Sequence, residues 1–96
     1  MTVVRVKDAN GNPLASAFVL ATVTGNGITN PSFTTFDGER ILITNHSTSN
    51  VSVWKAADLT PLGTFSTGDG TLPLGACSDG LNFWIVLNGT NKLARF

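Results

Sequence analysis

The chain has 96 residues, a length that suits one domain with a single core. Six Lys and Arg residues balance six Asp and Glu residues, so we expect no binding to nucleic acid or to an anionic membrane surface. Only 12% of the residues are charged, and ten Gly and four Pro stand among many Thr, Ser and Asn, which favours strands joined by tight turns. The composition therefore predicts an all-β protein.

Cys77 is the only cysteine, which excludes an intrachain disulfide and a cysteine-based metal cluster. We expect it to be buried as a small apolar side chain. The N-terminus lacks a cationic leader followed by an apolar segment, and no apolar run approaches the roughly 20 residues of a membrane span. We therefore expect a soluble protein without a signal peptide, and the sequence does not indicate its compartment. We also expect no cofactor and no bound metal.

The first thirty residues predict a hairpin. Val3 to Val6 is predicted to be a short strand and Asn10-Gly11 a turn, because both residues of the pair accept positive φ. Leu14 to Val23 is predicted to be one extended strand. A helix over Leu14 to Ala21 is the alternative, although no capping residue or polar face supports it.

Two later segments of the chain are similar to each other at a fixed spacing. Asp37-Gly38 and Asp79-Gly80 stand 42 positions apart (79 − 37), and so do Pro31 and Pro73 (73 − 31). The turn TGNG at 24–27 also returns, as TGDG at 67–70, here 43 positions later (67 − 24). A period of this length is typical of a repeated four-stranded unit that cannot bury its own faces.

The most apolar predicted strands follow the two Asp-Gly turns. They are Ile41 to Ile43 and Phe83 to Leu87, and neither alternates between apolar and polar residues. Such runs are typical of strands that are covered on both faces. We therefore expect near-complete burial of the side chains of Ile41, Leu42, Ile43, Phe83, Trp84, Ile85 and Leu87.

The chain as a whole predicts nine strands in a single domain, 1–96. With the strands of one unit lettered A to D, residues 1–30 supply a C–D hairpin of an incomplete unit. Residues 31–72 supply a full A–B–C–D unit, and residues 73–96 supply A–B–C. The total is about two units with one C strand in excess.

These units resemble the blade repeats of NHL- and YVTN-type β-propellers, in particular the streptogramin-lyase-like branch. The resemblance rests on Phe36-Asp37-Gly38, Ile41 to Asn45, Asn50 to Trp54, Leu62 to Phe65 and Asn91 to Phe96. It covers residues 31–96 well and the first thirty residues only through the internal repeat. It implies four-stranded antiparallel blades around an axis, with strand A innermost.

The resemblance also implies association, because a closed propeller needs roughly four to eight blades and this chain supplies about two. We expect copies of the chain to complete a ring as a homo-oligomer, with a trimer favoured. The hairpin of residues 3–23 would complete the last blade of the next copy. One of the two C-type end strands, Val3 to Val6 or Leu93 to Phe96, is then left over. A monomeric small β-barrel or sandwich is the alternative.

Polar loop residues form the candidate binding site. In an up-and-down blade the D–A and B–C loops lie on one rim, where hydrogen-bonding side chains could hold a glycan or a protein ligand. The candidate residues are Asn26, Asn30, Asn45, His46, Asp69, Asn88 and Asn91. Turns also require Asn and Asp, so turn formation is the competing interpretation.

The residues that could carry catalysis have no partners nearby in the sequence. His46 is the only histidine, and we expect it to be exposed in a loop. Asp37 and Asp79 occupy the same turn of successive units, which favours a role in the turns over an acid–base pair. We therefore expect a non-enzymatic module, a structural or binding scaffold. The alternatives are a small carbohydrate-binding, lectin-like propeller and a fragment of a streptogramin-lyase-like enzyme.

Overall fold

The computed structural model describes residues 3–4, 9–10, 17–18 and 21–96. All regular structure in these residues is β, which confirms the predicted all-β class. The described residues form nine strands: β1 Val3–Val4, β2 Ala17–Phe18, β3 Pro31–Phe36, β4 Arg40–Asn45, β5 Asn50–Lys55, β6 Pro61–Ser66, β7 Pro73–Ser78, β8 Phe83–Leu87 and β9 Lys92–Arg95.

An antiparallel hairpin is formed by β1 and β2, with Val3 opposite Phe18 and Val4 opposite Ala17. The alternative of a helix over 14–21 is wrong at Ala17–Phe18, which are strand. Asn10 lies in a turn, as predicted. Residues 21–25 form no strand, so the predicted strand to Val23 ends earlier. The other residues of the predicted hairpin, 5–8, 11–16 and 19–20, lie outside the described residues.

The remaining strands form two antiparallel sheets, one with the order β3-β4-β5-β6 and one with the order β7-β8-β9. The two sheets have equivalent cross-strand pairing: pairs in the first sheet recur in the second sheet with both residues 42 positions later. Pairs in the four-stranded sheet are Pro31–Asn45, Thr34–Ile43 and Leu42–Val53, and their counterparts in the three-stranded sheet are Pro73–Leu87, Ala76–Ile85 and Trp84–Arg95. The backbone before the two prolines is also alike, since Asn30 and Leu72 both have a φ of 47°.

The two sheets pack face to face, with β3 beside β7. The apolar core between them consists of Leu42, Val51, Val53, Phe83, Ile85 and Leu87, with Ala76 and Ala94 packed against it. At one end of the core, the guanidinium carbon of Arg40 lies 5.1 Å from the centroid of the Phe83 ring, so this cation stacks on the aromatic face. One face of each sheet thus belongs to the core.

The predicted burial of the two apolar strands is confirmed for four side chains and wrong for three. Leu42, Phe83, Ile85 and Leu87 are at most 6% exposed, but Ile41, Ile43 and Trp84 are only half-buried. Burial alternates along β8, and Val86 is 48% exposed. Successive side chains of a strand point to opposite faces, and within one chain each sheet is fully covered on one face only.

Cys77 is exposed, which corrects the prediction that it is buried. Its cross-strand partner is Trp84, whereas Ala76 is paired with Ile85 of the core. Because neighbouring side chains alternate, Ala76 packs on the core and Cys77 lies on the opposite face of the three-stranded sheet.

Candidate functional site

The loops that carry the predicted binding residues lie along one edge of the two sheets. Backbone hydrogen bonds join these loops in series. The N–H of His46 donates to the carbonyl of Asn30 (3.4 Å), the N–H of Thr67 to that of Ser49 (2.9 Å), and the N–H of Gly89 to that of Thr71 (2.8 Å). The segments that contain the seven candidate residues are therefore neighbours along this edge.

Asn45 is fully buried and acts inside the protein. Its side-chain nitrogen donates to Oδ1 of Asn50 (2.8 Å) and to Oγ of Ser52 (2.9 Å). Its side-chain oxygen accepts the backbone N–H of Thr29 (3.2 Å). Both N–H groups and the oxygen of the carboxamide are thus used to fasten the turn before β3 to β4 and β5.

Asn26 has a similar internal role. Its side-chain nitrogen donates to the carbonyl of Val53 (3.0 Å), at an irregularity in the pairing of β5 with β6. At this point Pro61 stands opposite Trp54 and has no N–H to offer to the sheet. The hydroxyl of Thr64 in turn donates to the carbonyl of Asn26 (2.6 Å), so the turn is fixed to β5 and β6.

Four candidate residues keep exposed side chains at this edge, namely Asn30, Asp69, Asn88 and Asn91. Asn30 and Asn91 have φ values of 47° and 55°, a left-handed conformation that Asn tolerates better than most residues. These two residues therefore also serve the backbone of their turns. The polar groups that the edge offers to a ligand come from this set.

His46 is half-buried, which corrects the expectation of an exposed loop histidine. The hydrogen bond from its backbone N–H to Asn30 holds it against the turn before β3. Among the residues that the structure describes, no group of three or more His, Cys, Asp or Glu side chains is placed to hold a metal ion.

Asp37 and Asp79 each close the turn in which they lie. Oδ1 of Asp37 accepts the N–H groups of Glu39 (2.9 Å) and Arg40 (2.6 Å), and Oδ1 of Asp79 accepts those of Leu81 (2.9 Å) and Asn82 (2.8 Å). The second oxygen differs, because Oδ2 of Asp37 binds the Arg40 guanidinium (2.8 Å) and Oδ2 of Asp79 accepts the Trp84 indole N–H (2.9 Å).

These contacts lower the pKa of both carboxyl groups. For Asp79 the backbone N–H of Asn82, the indole N–H of Trp84 and the backbone N–H of Leu81 bring the pKa to about 2. For Asp37, burial raises the pKa. The backbone N–H groups of Arg40 and Glu39 and the Arg40 side chain lower it by more, so the pKa lies below its ordinary value. Both groups are therefore anionic turn formers at neutral pH.

Each sheet also has an outer face, which points away from the core. Cross-strand pairing places Cys77, Trp84, Val86, Leu93 and Arg95 on the outer face of the three-stranded sheet. The outer face of the four-stranded sheet carries Thr34, Phe36, Ile41 and Ile43. Three large apolar side chains of this set are exposed: Leu93 is 63% exposed, Phe36 is 56% exposed and Val86 is 48% exposed.

A shallow cavity of about 470 Å³ lies at the outer face of the four-stranded sheet. It is lined by Thr34, Thr35, Phe36, Ile41 and Ala56, and its walls are almost entirely apolar. Exposed apolar surface of this kind marks a site of interaction more often than a site of chemistry.

Sequence reasoning missed the buried polar side chains that organise the edge. Thr44 accepts the N–H of Phe33 (3.0 Å) where the pairing of β3 with β4 is irregular, and Ser49 accepts the N–H of Leu72 (3.4 Å). The available signal was a polar residue at the end of an apolar strand, as in Ile41 to Asn45. Such a residue is equally common on an exposed loop, so the signal does not separate the two roles.

Within the described part of the chain, no helix is long and apolar enough to cross a membrane. Comparison with known proteins gave no match: no protein-family model, no curated protein and no solved structure is significantly similar to this chain.

Proposed function

We propose that the chain is a non-enzymatic β-propeller module that associates with copies of itself into a ring and serves as a structural or binding scaffold. The observation that carries this proposal is the equivalence of the two sheets. Residues 42 positions apart are paired with partners that are also 42 positions apart, and the second sheet packs on one face of the first. Repetition of one unit by a constant rotation produces this relationship, and it leaves one sheet face uncovered at each end.

The positions of β3 and β7 add support. These are the first strands of their sheets, they occupy the same position 42 residues apart, and they lie side by side. In a radial arrangement the first strands of all blades are neighbours around the axis. The non-enzymatic part of the proposal is supported by Asp37 and Asp79, because each of these carboxylates is held within its own turn.

Native mass spectrometry and light scattering at micromolar concentration test the proposal. The expected result is a discrete multiple of the chain mass of 10.1 kDa, with three copies for a ring of roughly six blades. A stable monomer would contradict the proposal and favour a small β-sandwich. An unlimited distribution of masses would contradict a closed ring.

A second candidate function, glycan binding, is favoured by the exposed side chains of Asn30, Asp69, Asn88 and Asn91 along one edge. Amide and carboxylate groups are suitable partners for sugar hydroxyls. A glycan array probed with the intact protein tests this function. Binding that is lost in Asn88→Ala and retained in Thr48→Ala, an exposed position in a neighbouring loop, would support it; an array without signal would reject it.

A further inference from the structure

The contact between the two sheets shows which face of one unit packs on which face of the next. The four-stranded sheet contributes the cross-strand pairs Leu42–Val53 and Thr44–Val51. The three-stranded sheet contributes Phe83, Ile85 and Leu87. The two contributions come from different faces of the repeated unit, so the contact is heterologous rather than self-complementary.

A shift of 42 positions carries each half of this contact onto an outer face that is at least partly exposed. Leu42–Val53 and Thr44–Val51 become Trp84–Arg95 and Val86–Leu93, the pairs on the outer face of the three-stranded sheet. In the opposite direction, Phe83 and Ile85 become Ile41 and Ile43, on the outer face of the four-stranded sheet. The molecule thus presents one half of its internal contact at one end and part of the other half, at Ile41 and Ile43, at the other end. The counterpart of Leu87 is Asn45, which is buried beneath the turn that contains Thr29.

From this correspondence we infer that the outer face of the three-stranded sheet of one copy packs on the outer face of the four-stranded sheet of the next copy, head to tail. The inference rests on the proposed self-association and names its interface. Trp84, Val86 and Leu93 of one copy contact Ile41 and Ile43 of its neighbour.

The exposure of these residues agrees with such an interface. Val86 is 48% exposed and Leu93 is 63% exposed although both are apolar and lie in regular strands. Ile41 and Ile43 are half-buried, and the apolar cavity beside Ile41 and Phe36 provides a recess for a large side chain. The turn containing Asn26 and Thr29 is bonded to β5 at Val53 and to the end of β4 at Asn45, so the open part of this face lies over β3 and around Ile41 and Ile43.

A mixing experiment tests the head-to-tail geometry. Val86→Glu damages the outer face of the three-stranded sheet only, and Ile43→Glu damages the outer face of the four-stranded sheet only. Each variant alone is expected to be monomeric, because every contact needs one face of each kind. An equal mixture is expected to give a 1:1 complex of twice the chain mass of 10.1 kDa, because one intact face of each kind remains.

The control variant is Leu81→Glu, at a residue that is 82% exposed in the turn between β7 and β8. It is expected to keep the mass of the wild-type protein in light scattering. Far-ultraviolet circular dichroism establishes that each variant is folded before its mass is interpreted.

A second measurement uses the wild-type protein and needs no substitution. Cys77 is exposed and lies beside Trp84 on the proposed interface. Its reaction with an aromatic disulfide reagent is therefore expected to be fast in dilute solution and to be lost as the concentration rises into the range where the oligomer forms. Reactivity that is independent of concentration in a protein shown to be oligomeric would overturn the inference.

The outcomes separate the two proposals. A monomeric wild-type protein overturns the proposed function and the interface together. A wild-type oligomer whose mass is unchanged by Val86→Glu and Ile43→Glu overturns the interface and leaves the proposed function standing. A dimer formed by either variant alone shows that a face pairs with itself, and this also overturns the head-to-tail inference.

Discussion

Asn45 shows how a single buried side chain can hold the loops of this edge in place. Its carboxamide links the turn before β3 to Asn50 and Ser52; the hydrogen bond to Ser52 is buried, and those with Thr29 and Asn50 are partly buried. A buried polar group whose partner is removed loses the hydrogen bond and keeps the cost of desolvation. The residue is therefore expected to matter for stability first.

We predict that Asn45→Ala lowers the free energy of unfolding by about 1–3 kcal/mol, since it leaves buried hydrogen-bonding groups of its neighbours unpaired. Urea denaturation followed by fluorescence measures the change. The control is Asn88→Ala, at an exposed position of the same edge, which should change the value by no more than about 0.5 kcal/mol. Equal effects of the two substitutions would contradict the internal role of Asn45.

Asp79 makes stability depend on acid pH. Its pKa is about 2 in the folded protein, below the ordinary value of 3.8, so the folded state binds its proton less readily than the unfolded state. The stabilising contribution is therefore complete above about pH 4 and is lost as the pH falls towards 2. A Trp84→Phe variant removes the indole donor, and carboxyl NMR titration should then place the pKa of Asp79 closer to 3.8.

The control for this pH dependence is Asp79→Asn, which keeps an oxygen acceptor for the turn but has no proton to titrate. Its stability should fall less than that of the wild-type protein between pH 4 and pH 2. Parallel stability curves for the two proteins would show that Asp79 does not contribute.

At the scale of the strands, local chemistry made much of the fold predictable. Asp-Gly turns and prolines mark where β3, β4, β7 and β8 begin or end, and these elements form close to the predicted positions. The face that each side chain occupies was not predictable in β8, because Phe83 to Leu87 is apolar throughout and has no alternation to read. The segment around Cys77 in β7 has no clear alternation either, and for this reason Cys77 was predicted to be buried although it lies on the exposed face.

The candidate site was less predictable than the strands. The sequence placed seven polar residues in loops, and the structure brings these loops to one edge. The sequence does not reveal that the side chain of Asn26 donates a hydrogen bond to Val53 beside Pro61, because that bond joins residues 27 positions apart. Contacts of this kind depend on the pairing irregularity between β5 and β6, which has no local signature in the sequence.

The connection between β8 and β9 depends on Gly89 for close packing. A side chain there would place its Cβ in severe overlap with the carbonyl oxygen of Gly70 and 3.1 Å from Cγ of Leu72. We predict that Gly89→Ala lowers the free energy of unfolding by about 1–3 kcal/mol, because the backbone of the neighbouring turn must shift.

Gly75 provides the matched control for this substitution, since it lies in β7 with no atom within 4 Å of the Cβ position. Gly75→Ala should leave stability unchanged or raise it by up to about 1 kcal/mol through loss of unfolded-state freedom. Thermal unfolding of the two variants in parallel measures the difference. A harmless Gly89→Ala would contradict the close approach of the two turns.

For the whole molecule, the proposed head-to-tail interface predicts that substitutions at two equivalent residues change stability differently as the protein concentration rises. Ile85 is fully buried in the core of one chain, so Ile85→Ala should cost about 2–5 kcal/mol at any protein concentration. Ile43, its counterpart 42 positions earlier (85 − 42), is half-buried on the outer face of the four-stranded sheet. Ile43→Ala should cost less in dilute solution and more as association covers this face.

Unfolding curves at several protein concentrations measure these two costs. The wild-type protein should itself become more resistant to unfolding as its concentration rises, because association stabilises the folded state by mass action. Stability that is independent of concentration for the wild-type protein and both variants would contradict an interface at this face.

The positions of the two tryptophans have an optical consequence. Trp54 is 3% exposed, whereas Trp84 is half-buried and lies on the outer face of the three-stranded sheet. The guanidinium carbon of Arg95 lies 5.9 Å from the centroid of the Trp84 ring. The fluorescence of Trp84 should therefore be the red-shifted, iodide-quenchable component of the spectrum, and that of Trp54 the blue, shielded one. Docking of a second copy would shift only the first component. The intrinsic emission of the unlabelled protein can thus report association at concentrations too low for light scattering.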